Sequence, residues 1–189
     1  EDLYAIFWKC HAQLYSRNIG TTIFMQRHQR WRKDHRRLLR RALDNGVTVV
    51  RDGSLEAFRK ILNDNLDERF HAKPVHTLSE IELLKSRFPD HIIQYNAYKD
   101  HEIIGGLTVY LTQQVVHGQY SSTNHVGKEY GAMEAIYNQL MYHDYPDYPY
   151  LDFGSSTEEN GSVINEGLIA HKEGFGGRGV CYDTYHWLL

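Results

Sequence analysis

The sequence predicts a mixed α/β domain whose mostly antiparallel sheet is flanked by helices, and three observations predict it. The apolar residues recur with a helical period through residues 31–88 and then switch, at residue 92, to the alternation of a half-buried strand. Three strand patterns in succession are followed by helix, strand, helix and strand, the order of a sheet covered on both faces. The last helix runs into LIAHKEGFGGRGV, residues 168–180, where four glycines crowd around one Phe and one Arg between Gly174 and Gly179.

A chain of 189 residues with 41% hydrophobic content is long enough to bury about 70% of its extended surface in one core. No apolar run nears the roughly 20 residues that cross a bilayer, and no signal peptide opens the chain, so the sequence reads as soluble and cytoplasmic. Cys10 and Cys181 are far apart and the 12 histidines include no HExxH or HxH pattern. Neither a disulfide framework nor a metal site is expected. The net charge of −3 conceals an asymmetry: residues 27–41 hold Arg27, Arg30, Arg32, Lys33, Arg36, Arg37, Arg40 and Arg41 against Asp34 alone, while the rest is acidic. Such a helix either pairs with its own acidic body or faces an anionic partner.

Taken in order, residues 1–26 read as an amphipathic stretch and a strand without partners of their own. Residues 1–30 are therefore expected to be the tail of a preceding domain and a linker, with the domain proper at 31–189. Residues 31–45 form a helix ended by Asn45-Gly46, and 47–51 a short strand. Ser54 opens a second helix with Leu55, Phe58, Ile61 and Leu62 inward, and Thr77 with Glu80 forms the capping box of a third. Strands follow at 92–98, 103–111 and 116–123, the last taken as antiparallel. A long helix runs from Gly127 to about His143, a strand occupies 150–154, a helix beginning at Ser162 turns Val163, Ile164 and Leu168 inward, and 180–188 closes the sheet.

HKEGFGG, placed after the penultimate element, resembles the FKxGFGG signature of the FemABX peptidyltransferases, whose halves have the GNAT fold. His171 stands where the family has Phe; Lys172, Gly174, Phe175, Gly176 and Gly177 match. RRLLRRALDNGVTV (36–49) and LDFGSS (151–156) extend the likeness over about residues 31–180. The resemblance implies a GNAT-like C-terminal half behind a preceding GNAT-like half, in a bacterial cytoplasmic enzyme. It also implies transfer of an acyl or aminoacyl group to an amine of a cell-envelope or polysaccharide precursor by direct attack, with acyl-CoA such as acetyl-CoA, or aminoacyl-tRNA, as donor.

Under that resemblance Lys172 stabilises the developing oxyanion and His171 accepts a proton. Asp152, Gly154, Ser155, Asn165, Phe175, Gly176, Gly177 and Arg178 hold donor or substrate. Each residue also has a plainer reading. A lysine at a helix C-terminus is favoured there anyway, a histidine beside it packs and caps, Asp152 equally caps the helix that follows, and Asn165 simply faces solvent. Gly174 suits a left-handed helix end, and the glycines after it admit either a neighbouring strand or a ligand. The family-wide pyrophosphate loop [QR]xxGx[GA] fits only as Lys128, Gly131 and Met133, with the last position wrong. That leaves open a second function: a catalytically degenerate half that supports its partner domain or binds an anion.

Overall fold

The computed structural model describes residues 2–27 and 30–188. A short helical turn α1 (Asp2–Tyr4) and a π-helical turn lead into β1 (Gln13–Phe24). Then come α2 (Lys33–Asp44), β2 (Thr48–Arg51), α3 (Leu55–Phe70), α4 (Leu78–Arg87), β3 (Ile92–Lys99), β4 (Glu102–Leu111) and β5 (Val115–Thr123). The second half has α5 (His125–Tyr130), α6 (Ala132–Gln139), β6 (Tyr150–Ser155), a small hairpin of β7 (Thr157–Glu158) and β8 (Val163–Ile164), α7 (Glu166–Gly174) and β9 (Arg178–His186).

Seven strands form one sheet in the order β2-β3-β4-β5-β6-β1-β9. Only β5 and β6 pair in parallel; the other neighbours are antiparallel. Two adjacent glycines of β4 show what covers the faces. A Cβ on Gly105 would lie 3.3 Å from the Ala132 methyl of α6, and one on Gly106 would lie 2.5 Å from the Phe58 ring of α3. Successive strand residues point to opposite faces, so α6 and α3 sandwich the sheet. Ile93, Leu107, Val109, Ile136 and Leu140 fill the layer beneath α6, while Phe58, Ile61, Leu62 and Ile81 seal the α3 and α4 side.

Several sequence expectations hold residue by residue. Asn45-Gly46 ends α2 with Gly46 at φ 70°, and Thr77 and Glu80 make the reciprocal capping box of α4. Others are corrected. The helix expected from Gly127 to His143 is broken at Gly131, which adopts φ 75°, and ends in a π-helical turn over Leu140–Asp144. The helix expected from Ser162 begins only after Asn165; Val163 and Ile164 pair with β7 and are exposed, as is Leu168. The strand expected to lack partners has two: β1 lies between β6 and β9, pairing Thr22 with Asp152 and Ile19 with Cys181. Residues 13–24 are thus built into the sheet that residue 31 was expected to begin.

Candidate active site

The glycine-rich turn fits protein against protein. A Cβ on Gly174 would meet the His35 ring at 2.5 Å, and one on Gly177 would meet the Thr21 methyl at 2.5 Å. The left-handed position is Gly176, at φ 95°, rather than Gly174, which is the last residue of α7. Phe175, wholly buried, is the plug: its ring lies 4.0 Å from His35, 4.8 Å from Tyr137 and 5.0 Å from Trp31, centroid to centroid. Beneath it His35 Nδ1 is 2.8 Å from Glu134 Oε1, both side chains buried. His171 joins this cluster, 5.0 Å from the His35 ring. Partial desolvation of its ring first, and then the neighbouring His35, lower its pKa. On its outer side the turn borders a shallow basin of about 540 Å³ together with Arg30, Arg32 and Arg178.

Lys172 points the other way, inward and across the end of β6. Its Nζ donates to Gly154 O at 3.0 Å, Ser155 O at 2.6 Å and Ser156 Oγ at 2.9 Å. All three ammonium protons are thereby engaged. Burial pushes its pKa down to about 8 against the pull of the Asp152 carboxylate. Ser156 N in turn donates to Ile19 O, so α7 fixes the carbonyl run where β6 leaves β5.

That departure is abrupt. The parallel pairing comprises Val115 with Tyr150, Val116 with Leu151 and His117 with Asp152, and stops there. Gln119 is an extra residue between the pairs Val109–Gly118 and Thr108–Tyr120, a bulge that bends β5. Beyond His117, β5 stays with β4, while β6 keeps only β1, its partner on the other edge from Tyr150 to Ser155. Among the described residues no strand pairs with the β6-facing side of residues 119–121, between Gly118 on one rim and Gly154 on the other.

At the vertex His117 Nδ1 meets Asp152 Oδ2 at 2.7 Å, and Thr22 Oγ1 donates to Asp152 Oδ1 at 3.1 Å. His117 Nε2 lies 3.2 Å from Gln119 Oε1. Burial alone would raise the Asp152 pKa, yet the His117 hydrogen bond and charge, with support from Gly154 N–H and Thr22, hold it below the usual carboxylate range. Gly154 has φ 72°, and a Cβ there would lie 3.6 Å from His117 Cε1. Tyr110, from β4, faces the same ring at 6.5 Å, and its hydroxyl has no hydrogen-bond partner among the described residues.

Of the residues expected from sequence, Asp152, Gly154, Ser155 and Lys172 meet at the β6 end of this opening. Phe175, Gly176 and Gly177 are packed inside the protein, whereas His171 is exposed and meets the Phe175 ring edge-to-face at 5.2 Å. Asn165 caps α7 by accepting from Leu168 N and donates to Glu158. Arg178 is exposed and donates to Gly177 O. His117, Gln119 and Thr22 were not singled out. Nothing in VHGQY marks a vertex, because the third strand reads the same whether its next neighbour is parallel or antiparallel.

The pyrophosphate-loop pattern, already imperfect at Lys128, Gly131 and Met133 in the sequence, lies in a segment whose glycine N–H groups are occupied. Gly131 N donates to Gly127 O, and a Cβ on Gly131 would lie 2.6 Å from Leu38 O of α2, so the basic helix lies over this glycine. Gly127 N is taken by the Asn124 side chain. Among the described residues no cluster of three metal-ligating side chains occurs, and no helix is long and apolar enough to cross a membrane.

No family model and no curated protein matches the chain. Solved structures do. FemX superposes with a TM-score of 0.66 at 11% identity, over 87% of this chain and 61% of that one. The C-terminal domain of a putative lysylphosphatidylglycerol synthetase from Agrobacterium fabrum gives 0.62 at 12% identity, over 92% and 60%. The fold is that of the GNAT and Fem-type transferases. A tandem GNAT protein from the clavulanic acid biosynthesis pathway matches at 0.55 and 12% identity, over 97% of this chain and 57% of its own. The chain spans about three fifths of the length of each.

Proposed function

We propose that this protein transfers an acyl or aminoacyl group to an amine by direct attack, with the reacting carbonyl held between the diverging ends of β5 and β6. The observation that carries the proposal is the short parallel pairing that ends at His117 and Asp152 beside a bulge. Backbone N–H groups freed by such a divergence are fixed in place before the reaction, and donors of that kind stabilise an oxyanion most effectively. In this proposal Lys172 is a positioning residue. With its protons already bound to residues 154–156, it sets the β6 rim and does not itself reach the oxyanion.

The packing of α2 over Gly131 disfavours a coenzyme A donor held in the usual loop. Exposed Lys33, Arg37 and Arg40 on α2 favour a larger polyanion, and we propose an aminoacyl-tRNA as donor. The amine is then one of a cell-envelope or polysaccharide precursor, and the other half of the enzyme a preceding GNAT-like domain. A plain test offers the full polypeptide a pool of aminoacyl-tRNAs or acetyl-CoA with a panel of primary amines. Amine-dependent discharge of aminoacyl-tRNA above the enzyme-free rate is expected. Discharge of acetyl-CoA alone would reassign the donor, and discharge of neither would refute the transferase proposal.

A further inference from the structure

We infer that His117 is the proton acceptor for the incoming amine, oriented by Asp152, an assignment that rests on the transfer site proposed above. Three features of the vertex support it. Asp152 accepts from one ring nitrogen at 2.7 Å, which places a proton on Nδ1, so that neutral His117 carries its lone pair on Nε2. Thr22 holds the second carboxylate oxygen, so the carboxylate cannot rotate away from the ring. The imidazole is about one-third exposed, its Asp partner much less so, and Gly154 leaves the rim beside Cε1 without a side chain. Nε2 lies 3.2 Å from Gln119 Oε1, an acceptor, so in this pairing Nε2 donates; the neutral base requires the Gln119 amide to turn its NH₂ to the ring or to be displaced by the incoming ammonium.

The charged and titratable groups around His117 are few. Asp152 lies on β6 and Tyr110 on β4, and Lys172 from α7 acts on the ring through its attraction to Asp152. The acceptor arrives as an ammonium, R–NH₃⁺, and cedes one proton to Nε2. The exposed nitrogen lone pair then forms the C–N bond as the carbonyl π pair moves to oxygen. When the carbonyl reforms, the bond from carbon to the leaving oxygen breaks, and the second nitrogen proton goes to that oxygen. The proton on His117 passes to solvent, while Asp152 stays ionised and stabilises the imidazolium.

The test uses the discharge assay with His117→Gln, Asp152→Asn and the unaltered protein across pH 5.5–9. At neutral pH His117→Gln is expected to lower kcat/KM by about 100-fold or more at an unchanged melting temperature, to lose the rising acid limb of the profile, and to regain activity with added imidazole. Asp152→Asn is expected to lower kcat with KM little changed, because the ring loses its orienting partner and the imidazolium its counter-charge. Activity and profile of His117→Gln within a few-fold of the unaltered protein would overturn the assignment while leaving the transfer site standing. An unaltered protein that discharges neither aminoacyl-tRNA nor acetyl-CoA would overturn both. If His117→Gln melts early, Asp152→Asn decides: a kcat within a few-fold of the unaltered protein overturns the assignment.

Discussion

Phe175 is the residue at which α2, α6 and α7 converge, and its ring touches His35, Tyr137 and Trp31 with no surface left exposed. Phe175→Ala is expected to cost about 3–5 kcal/mol, read as a lower midpoint in denaturant unfolding. Gly174→Ala places a methyl where the His35 ring now stands, 2.5 Å away, and is expected to destabilise by about 1–3 kcal/mol. An unchanged midpoint for either variant would mean that the turn is not packed in this way. The crowding of glycines and one aromatic was legible in the sequence as close approach. What approaches was not, because a strand methyl and a ligand ask the same thing of a missing Cβ. His117 was illegible for a different reason: its significance depends on a partner 35 residues away.

At the scale of single elements, α7 acts on β6 through one buried ammonium. The Lys172 pKa is lowered in the folded protein, to about 8 from an ordinary value of 10.5, so between those values the unfolded chain binds more protons than the folded one. Stability therefore gains from this group as pH rises through that window, and the buried charge costs most below it. Lys172→Met is expected to unfold more easily than the unaltered protein, having left two carbonyls without donors, and to lose this rising component between pH 8 and 10. Parallel stability curves for the two proteins over that range would contradict the burial of Lys172. On α2, replacing Lys33, Arg37 and Arg40 with Gln is expected to weaken tRNA binding several-fold at low salt and to flatten its salt dependence by about 2–3 in slope, with little change in melting temperature. Helix ends with caps were read correctly from sequence, since Thr77, Glu80 and Gly46 state their roles locally. The break at Gly131 was missed because the helical pattern of α6 resumes one residue later, and only the approach of Leu38 explains the glycine.

For the whole molecule, the sheet is completed by its N-terminal strand. Thr22 reaches Asp152 from β1, so a segment expected to be the tail of another domain helps to hold the vertex. Strand order of this kind is not written in hydrophobic period, which gives each strand its faces but not its neighbours. The mixed, mostly antiparallel class and its helical covering were legible because the period changes at residue 92 and the elements then alternate. The direct measurement of where the donor lies is an amide chemical-shift titration of the protein with an amide-linked aminoacyl adenosine, a stable mimic of the charged tRNA end. A transfer site between β5 and β6 predicts shifts concentrated at Gly118–Ser121 and Gly154–Ser156. Shifts confined to the basin of Arg30, Arg32 and Arg178, with the strand ends unmoved, would contradict it.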